Sequence, residues 1–252
     1  MNNKSKVNIL VVGGAGYIGS HIVMDLCEKG YNVIVFDNFR TGNIKNVHKS
    51  AKIIKGDICK KKDLDKAFQQ RIDIVYHFAA LKIPSESMQD PSMYAEINIV
   101  GTLNLLNVMA LNNTNYLIFS STCAVYGDAK YLPIDEKHPL KPINYYGYTK
   151  LNIEEQLKWH SKIYGLKYSA LRYFNAVGYD VQGRIKEKEV FSSNLFPIIM
   201  KVASGELDKM YVYGVDYKTK DGSCVRDYIH VSDLSSAHLL AMEYITHTNK
   251  NL

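Results

Sequence analysis

The run Val7-Asn8-Ile9-Leu10-Val11-Val12 breaks directly into Gly13-Gly14-Ala15-Gly16-Tyr17-Ile18-Gly19. A short, β-branched apolar run of this kind reads as a parallel strand buried on both faces. The glycines at Gly13, Gly16 and Gly19 let the backbone turn tightly, approach a pyrophosphate and pack the next helix on the sheet. That helix is expected from Tyr17 to Lys29, with Gly30 as its natural stop. Its first N–H groups, around Tyr17 and Ile18, would face the phosphates. Turns collect glycine anyway, but a strand before the loop and a helix after it point to a dinucleotide site.

The rest of the chain repeats the theme. Strands are expected at Asn32–Phe36, Ala51–Lys55, Asp73–Phe78, Tyr116–Phe119 and Tyr168–Arg172, with a short helix between Asp63 and Gln70. Apolar residues at helical spacing (Ile97, Leu105, Leu106, Met109) predict a helix from Ser92 to Asn112. A loop from Tyr126 to Ile143 holds three prolines, and helices follow at Tyr145–Tyr164, stopped by Gly165, and at Asp233–Thr246. Strands alternating with helices imply an α/β fold, a doubly wound parallel sheet of Rossmann-like type with right-handed crossovers. Ligands of such sheets bind at the carboxyl ends of the strands. Chemistry is therefore expected just after Val12, Phe36, Phe78, Phe119 and Arg172.

Two of these ends carry informative residues. Asp37 closes the second strand, where an acid accepts hydrogen bonds from adenosine ribose hydroxyls and repels an additional phosphate, favouring NAD over NADP. Arg40 nearby tempers that preference, Asn38 shares the site, and Asp37-Asn38 also reads as a turn. After the third strand, Asp57 and Ile58 would suit an adenine edge, although Gly56-Asp57 equally suits a plain turn. Phe78, Ala79 and Ala80 end the fourth strand with small residues that leave room for a dinucleotide, and Lys82 could reach phosphate or ribose. Asn98, polar among apolar neighbours, is either a satisfied buried amide or part of the cofactor loop.

Tyr146 and Lys150 are four residues apart, which on a helix places phenol and ammonium on one face. A free phenol has a pKa of about 10, and a cation beside it favours the phenolate. The pair is thus expected to exchange a proton with a substrate hydroxyl, the lysine lowering the tyrosine pKa. Tyr145 and Tyr148 have no lysine at that spacing.

Composition narrows the classes. With 252 residues, 46% hydrophobic and 22% charged, this is an ordinary globule, long enough for one large α/β domain. The net charge of +6 is spread along the chain, so a solvated basic surface is expected rather than a nucleic-acid partner. Cys27, Cys59, Cys123 and Cys224 form no CxxC pair, and neither a disulfide framework nor a metal site is expected. With no signal peptide and no apolar stretch near 18 residues, the expectation is a cytoplasmic protein without a membrane partner.

In this order the motifs resemble the extended short-chain dehydrogenase/reductase family, and within it the branch that inverts UDP-hexoses at C4. The strings are Val12–His21, His77–Lys82, Asn98–Thr102, Phe119–Gly127, Tyr146–Lys150, Leu171–Asn175 and Val225–Val231, within a likeness running from about residue 7 to residue 245. The resemblance implies NAD as cofactor and interconversion of UDP-glucose and UDP-galactose by oxidation and re-reduction at sugar C4. It implies Tyr146 as acid/base, Lys150 on the nicotinamide ribose, Thr122 on the reacting oxygen and Phe174 beside the nicotinamide. UDP contacts would come from Asn175, Asn194 and Arg226. Asn175 and Asn194 could instead be loop caps, and Arg226 a structural partner of Asp227. Tyr213 would pass near the uracil or simply end a strand, while His160 and His230 read as structural.

Relatives that eliminate water typically place an acid beside the catalytic Ser/Thr. Here Cys123 and Ala124 follow Thr122, which favours simple oxidation and re-reduction. Alternatives are an epimerase of N-acetylated or uronic UDP-hexoses, or a truncated, non-catalytic NAD-binding protein with a scaffold role. Residues 1–175 are expected to form the NAD-binding domain, 176–230 a partial substrate-binding region, and 231–252 a helix returning to the first domain. Family members commonly run longer, so the sugar pocket is expected to be open on one side, with partial disorder near residues 180–222 around the charged loop Gly183–Glu189. The helices at 92–112 and 145–164 could pair across a homodimer, as the family's do.

Overall fold

The computed structural model describes residues 7–185 and 195–252. Six strands form one parallel sheet: β1 Asn8–Val12, β2 Asn32–Asp37, β3 Lys52–Lys55, β4 Ile74–His77, β5 Tyr116–Ser120 and β6 Lys167–Leu171, in the order β3-β2-β1-β4-β5-β6. The order reverses between β1 and β4, which opens a crevice at their carboxyl ends. Register aligns those ends: Val12 sits opposite both Phe36 and His77, and His77 opposite Phe119.

Alternation along each strand sends side chains to opposite faces. Leu10, Val12, Ile34, Phe36, Val75, Leu117 and Phe119 point to one core. There they meet α2 (Lys61–Ala67) through Leu64, α5 (Gly101–Leu111) through Leu105, Leu106 and Met109, and α6 (Tyr145–Tyr164) through Ile153 and Leu157. Ile9, Val11, Val33, Val35, Ile74, Tyr76 and Ile118 point the other way, into Ile22, Val23 and Leu26 of α1 (Tyr17–Glu28) and Leu239, Met242 and Ile245 of α8 (Val231–Thr248). Both faces are covered, as the apolar strands require.

The helix predicted from Ser92 to Asn112 is more elaborate. A separate helix, α3 (Pro84–Gln89), precedes α4 (Pro91–Tyr94), and a π-helical turn, Ala95–Val100, joins α4 to α5. The stretch Pro91–Leu111 is long and apolar enough to cross a bilayer by length and composition alone, contrary to the sequence expectation. Here it is a core helix, with Tyr94, Asn98, Gly101, Thr102, Leu105 and Leu106 buried.

Beyond β6, β7 (Asn175–Val177) pairs in parallel with β8 (Tyr228–His230), a second sheet too short to leave a strand pattern in the sequence. His230 accepts from Ser232 N–H to cap α8, and its ring fills the space where a Cβ on Gly178 would sit, so the structural role expected for it is seen. At the outer edge, Leu252 N–H donates to the Tyr168 carbonyl and the Leu252 carbonyl accepts from Ala170 N–H, both at 3.0 Å. Residues 204–228 are mostly exposed, and α7 (Leu195–Ala203) has no buried residue: Leu195, Phe196, Ile199 and Met200 are all exposed. Asn194 and most of the charged loop Gly183–Glu189 lie outside the described residues.

Candidate active site

The glycine loop takes the shape its sequence demands. Gly13 has φ +81°, and a Cβ there would stand 2.5 Å from the backbone nitrogen of Ala79 after β4. A Cβ on Gly19 would stand 2.3 Å from the Gly13 carbonyl. α1 begins at Tyr17 behind Gly16, with no side-chain cap and no acid in its first turn, so this end presents backbone donors and local positive potential. The Asp37 carboxylate, 8% exposed, accepts from Ala15 N–H at 2.9 Å and Phe39 N–H at 2.8 Å. It thereby ties the end of β2 to the loop. Burial pushes its carboxyl pKa up, while those two N–H donors pull the other way. Asn38 beside it is exposed and accepts from Arg40 N–H.

After β3, Asp57 accepts from Cys59 N–H at 2.9 Å, which is the turn geometry, and the Ile58 side chain is in the core under Gly101. Phe78 and Ala79 donate to the Val12 carbonyl, packing this segment beside the loop, with Ala80 next in line and the Lys82 side chain exposed. Asn98 proves to be a fully buried, satisfied amide on the π-helical turn. It accepts from Leu81 N–H at 2.8 Å and donates to the Leu81 carbonyl at 3.0 Å and to Thr149 Oγ1 at 3.1 Å. Through Leu81 the satisfied amide also fixes the loop after β4.

α6 starts at an Asn144 cap, whose side chain accepts from Gly147 N–H at 2.8 Å. Gly147 lies against the turn after β5, where a Cβ would stand 2.6 Å from the Ala124 carbonyl oxygen. This close approach brings Tyr146 to Thr122. Lys150, 2% exposed, donates from Nζ to the Ser120 carbonyl at 2.7 Å, with its ammonium 4.7 Å from the Phe119 ring centroid. The expected lowering of the tyrosine pKa is not what this state shows. Burial pushes the Tyr146 phenol up to about 12, although the Thr122 hydroxyl pulls it down. Burial brings the Lys150 ammonium down to about 7, opposed by the charge of Glu154. Desolvation dominates for both groups because burial penalises either charge, and the lysine is turned toward a carbonyl rather than toward the phenol.

Four further residues belong to this site, and the sequence reading missed them. Ser120 Oγ and Tyr173 Oη hydrogen-bond each other directly beyond the carboxyl ends of β5 and β6. His77 is 1% exposed and held at Thr102 Oγ1, 2.8 Å away, and burial with the nearby Lys150 charge brings its pKa down to about 3. Glu154 lies one turn beyond Lys150. The signal available for it was the continuation of the four-residue spacing, Tyr146, Lys150, Glu154.

The substrate-side candidates are less gathered. Asn175 opens β7 and donates from Nδ2 to the Asp227 carbonyl at 2.8 Å, and Phe174 precedes it, partly buried. Arg226 is exposed and donates to its neighbour's carbonyl, Val225, at 2.7 Å. Among the described residues it forms no ion pair with Asp227, so the structural pairing weighed from sequence is not seen. Its positive charge favours the Cys123 thiolate, against the larger effect of burial. Tyr213 is 85% exposed and ends no strand, correcting that alternative. Among the described residues no cluster of His, Cys, Asp and Glu could hold a metal.

Comparison with known proteins agrees with this geometry. A family profile described as the NAD dependent epimerase/dehydratase family matches residues 9–251. The chain is 47% identical over 238 residues to a UDP-glucose 4-epimerase of Halalkalibacterium halodurans, covering 94% of this chain and 71% of that protein. A crystal structure of UDP-glucose 4-epimerase from Brucella ovis in complex with NAD superposes with a TM-score of 0.93 at 45% identity, over 98% of this chain and 76% of that one. The enzyme from Bifidobacterium longum in complex with NAD+ and UDP superposes at 0.90 with 40% identity, over 95% and 75%. A glycine loop at the sheet's switch point, a Tyr-Lys helix face beyond β5 and a match along nearly all of its length make this chain a member of the NAD dependent epimerase/dehydratase family.

Proposed function

We propose that the chain interconverts UDP-glucose and UDP-galactose by NAD-dependent oxidation and re-reduction at sugar C4. The observation that carries the reading is the packing of Tyr146 and Lys150, on one face of α6, against Ser120–Thr122 beside the glycine loop. The loop fits a dinucleotide: side chains at Gly13 and Gly19 would fill the space the backbone needs, and the uncapped start of α1 supplies donors for a diphosphate. Gly13, Gly16, Tyr17, Ile18 and Gly19 would hold the phosphates, Asp37 and Asn38 the adenosine ribose, and Asp57 and Ile58 the adenine edge. Phe78, Ala79, Ala80, Lys82 and Phe174 would flank the rest. Bound NAD supplies the acceptor, and later the donor, of the C4 hydride.

The chain's own work is proton handling and anchoring. Tyr146, as phenolate, takes the proton of the 4-hydroxyl and returns it to the keto oxygen after the sugar has turned. Thr122 steadies the reacting oxygen, and Lys150 holds the nicotinamide ribose. Arg226 would anchor the diphosphate, because an arginine can bind its oxygens in a fork, while Asn175 and Asn194 would contact UDP and Tyr213 would pass near the uracil. Residues 1–175 and 231–252 thus serve the cofactor, and 176–230 the nucleotide sugar. A second copy would seat on the outer faces of α5 and α6, where Leu111, Trp159 and Ile163 are exposed, and the protein would work in the cytoplasm.

The test is direct. Purified chain incubated with UDP-galactose should yield UDP-glucose, and Tyr146→Phe should lower kcat by about a hundredfold or more. Product formed at the wild-type rate by Tyr146→Phe would refute the mechanism.

A further inference from the structure

Three consecutive residues at the end of β5 are each engaged by α6, and the engaging residues are one turn apart. Thr122 acts on the Tyr146 phenol, the Ser120 carbonyl accepts from Lys150 Nζ at 2.7 Å, and Ser121 Oγ donates to Glu154 Oε1 at 2.5 Å. The spacing of four keeps Tyr146, Lys150 and Glu154 on one helix face. Only the last of the three has no part in the mechanism above, yet it is the most elaborately held.

Glu154 is 3% exposed, and an uncompensated carboxylate there would be very costly. Arg172, just past β6, grips both of its oxygens: Nε at 3.0 and 3.2 Å and Nη2 at 2.6 Å. The guanidinium lies 5.2 Å from the Tyr126 ring centroid and donates from Nη1 to Tyr126 Oη at 3.3 Å. A fork of this kind fixes direction as well as charge. Glu154 therefore joins three elements at one point: α6, which carries it; the end of β5, through Ser121; and the exit of β6, through Arg172. Ser121 is itself 1% exposed and is flanked by Ser120 and Thr122, so the chain on either side has little freedom to drift.

We propose that Glu154 is a positioning residue, which, held by Arg172, fixes Ser121 and so keeps the Thr122 hydroxyl and the Ser120 carbonyl in register with Tyr146 and Lys150. The proposal rests on the functional reading above. A displacement of about 1 Å at such a site can cost on the order of a hundredfold in rate without loss of substrate binding. A buried ion pair that merely stabilised the fold would change melting temperature and leave the geometry at Tyr146 alone.

Two variants separate these roles. Ser121→Ala removes one hydroxyl and no charge, and Arg172→Lys keeps the charge and loses the fork. Each is prepared with tyrosine labelled at the ζ carbon, the Tyr146 resonance being assigned from its absence in Tyr146→Phe. Because this resonance responds to the polar contact at the phenol oxygen, it should move in both variants toward its position in Thr122→Val. With UDP-galactose, kcat should fall by about tenfold or more with KM unchanged. A resonance that stays at its wild-type position in both variants overturns the proposal, whatever the rates. Wild-type turnover by Tyr146→Phe would instead sink the functional reading, and the resonance would still decide whether Glu154 holds Thr122 to the phenol.

Discussion

Lys150 carries its ammonium into a site that is nearly closed to water, and burial has brought its pKa from an ordinary 10.5 to about 7. The sign of the consequence follows from proton counting. Between those two values the unfolded chain holds a proton that the folded chain has shed, so this residue makes stability rise with pH across that interval. Below about 7 the folded state carries the buried charge at full cost. We predict that Lys150→Met, which removes the charge, melts above the wild type at pH values below 7. The gap should close as pH rises toward 10.5, and turnover should be lost throughout. Thermal melts of both proteins across that range check this, and two parallel curves would count against it. The spacing of Tyr146 and Lys150 was legible in the sequence, because helical geometry is local. The lysine's attachment to the Ser120 carbonyl was not, because it depends on how closely α6 approaches β5.

That approach belongs to the elements, and Gly147 sets it. Alanine inside a helix usually stabilises over glycine by roughly 0.5–1 kcal/mol. Here its Cβ would meet the Ala124 carbonyl oxygen at 2.6 Å, so α6 would have to move away from the turn after β5. Gly147→Ala should therefore destabilise by about 1–3 kcal/mol and cut kcat by about a hundredfold, as misplacement of Tyr146 against Thr122 would. Circular-dichroism melts and UDP-galactose turnover measure both, and a raised melting temperature would contradict the packing. The long elements were readable from pattern: β1 and β2 as apolar, β-branched runs, α5 by its apolar spacing and α6 by its stop at Gly165. β7 and β8, three residues each, hold too few positions to show a period. The π-helical turn escaped because its apolar residues fit an α-helix equally well. Asn98 was ambiguous for the same reason, its partners Leu81 and Thr149 being distant in the chain.

At the scale of the molecule, the dinucleotide half is tightly packed while α7 offers Leu195, Phe196, Ile199 and Met200 to solvent. Contiguous apolar surface of this kind promotes association. Replacing Phe196 and Ile199 together by serine should lower the sedimentation coefficient measured at high protein concentration, and no change would show that α7 takes no part in self-association. That α7 lies open was not legible in the sequence, because it depends on long-range packing that no local pattern records. The cover of the sheet has a consequence of a different kind. Ile9, Val11, Val33 and Val35 lie early in the chain, yet one of their two covering helices, α8, supplies Leu239, Met242 and Ile245 from its far end. During synthesis from the N-terminus, that face of the nascent sheet has only α1 to shield it until nearly the last residues described here have left the ribosome. Such a late-closing layer exposes apolar surface for the whole interval, and surface of that sort is what chaperones bind. The order in which this chain is made thus sets when this face of the sheet can close, since its earliest strands must wait for α8.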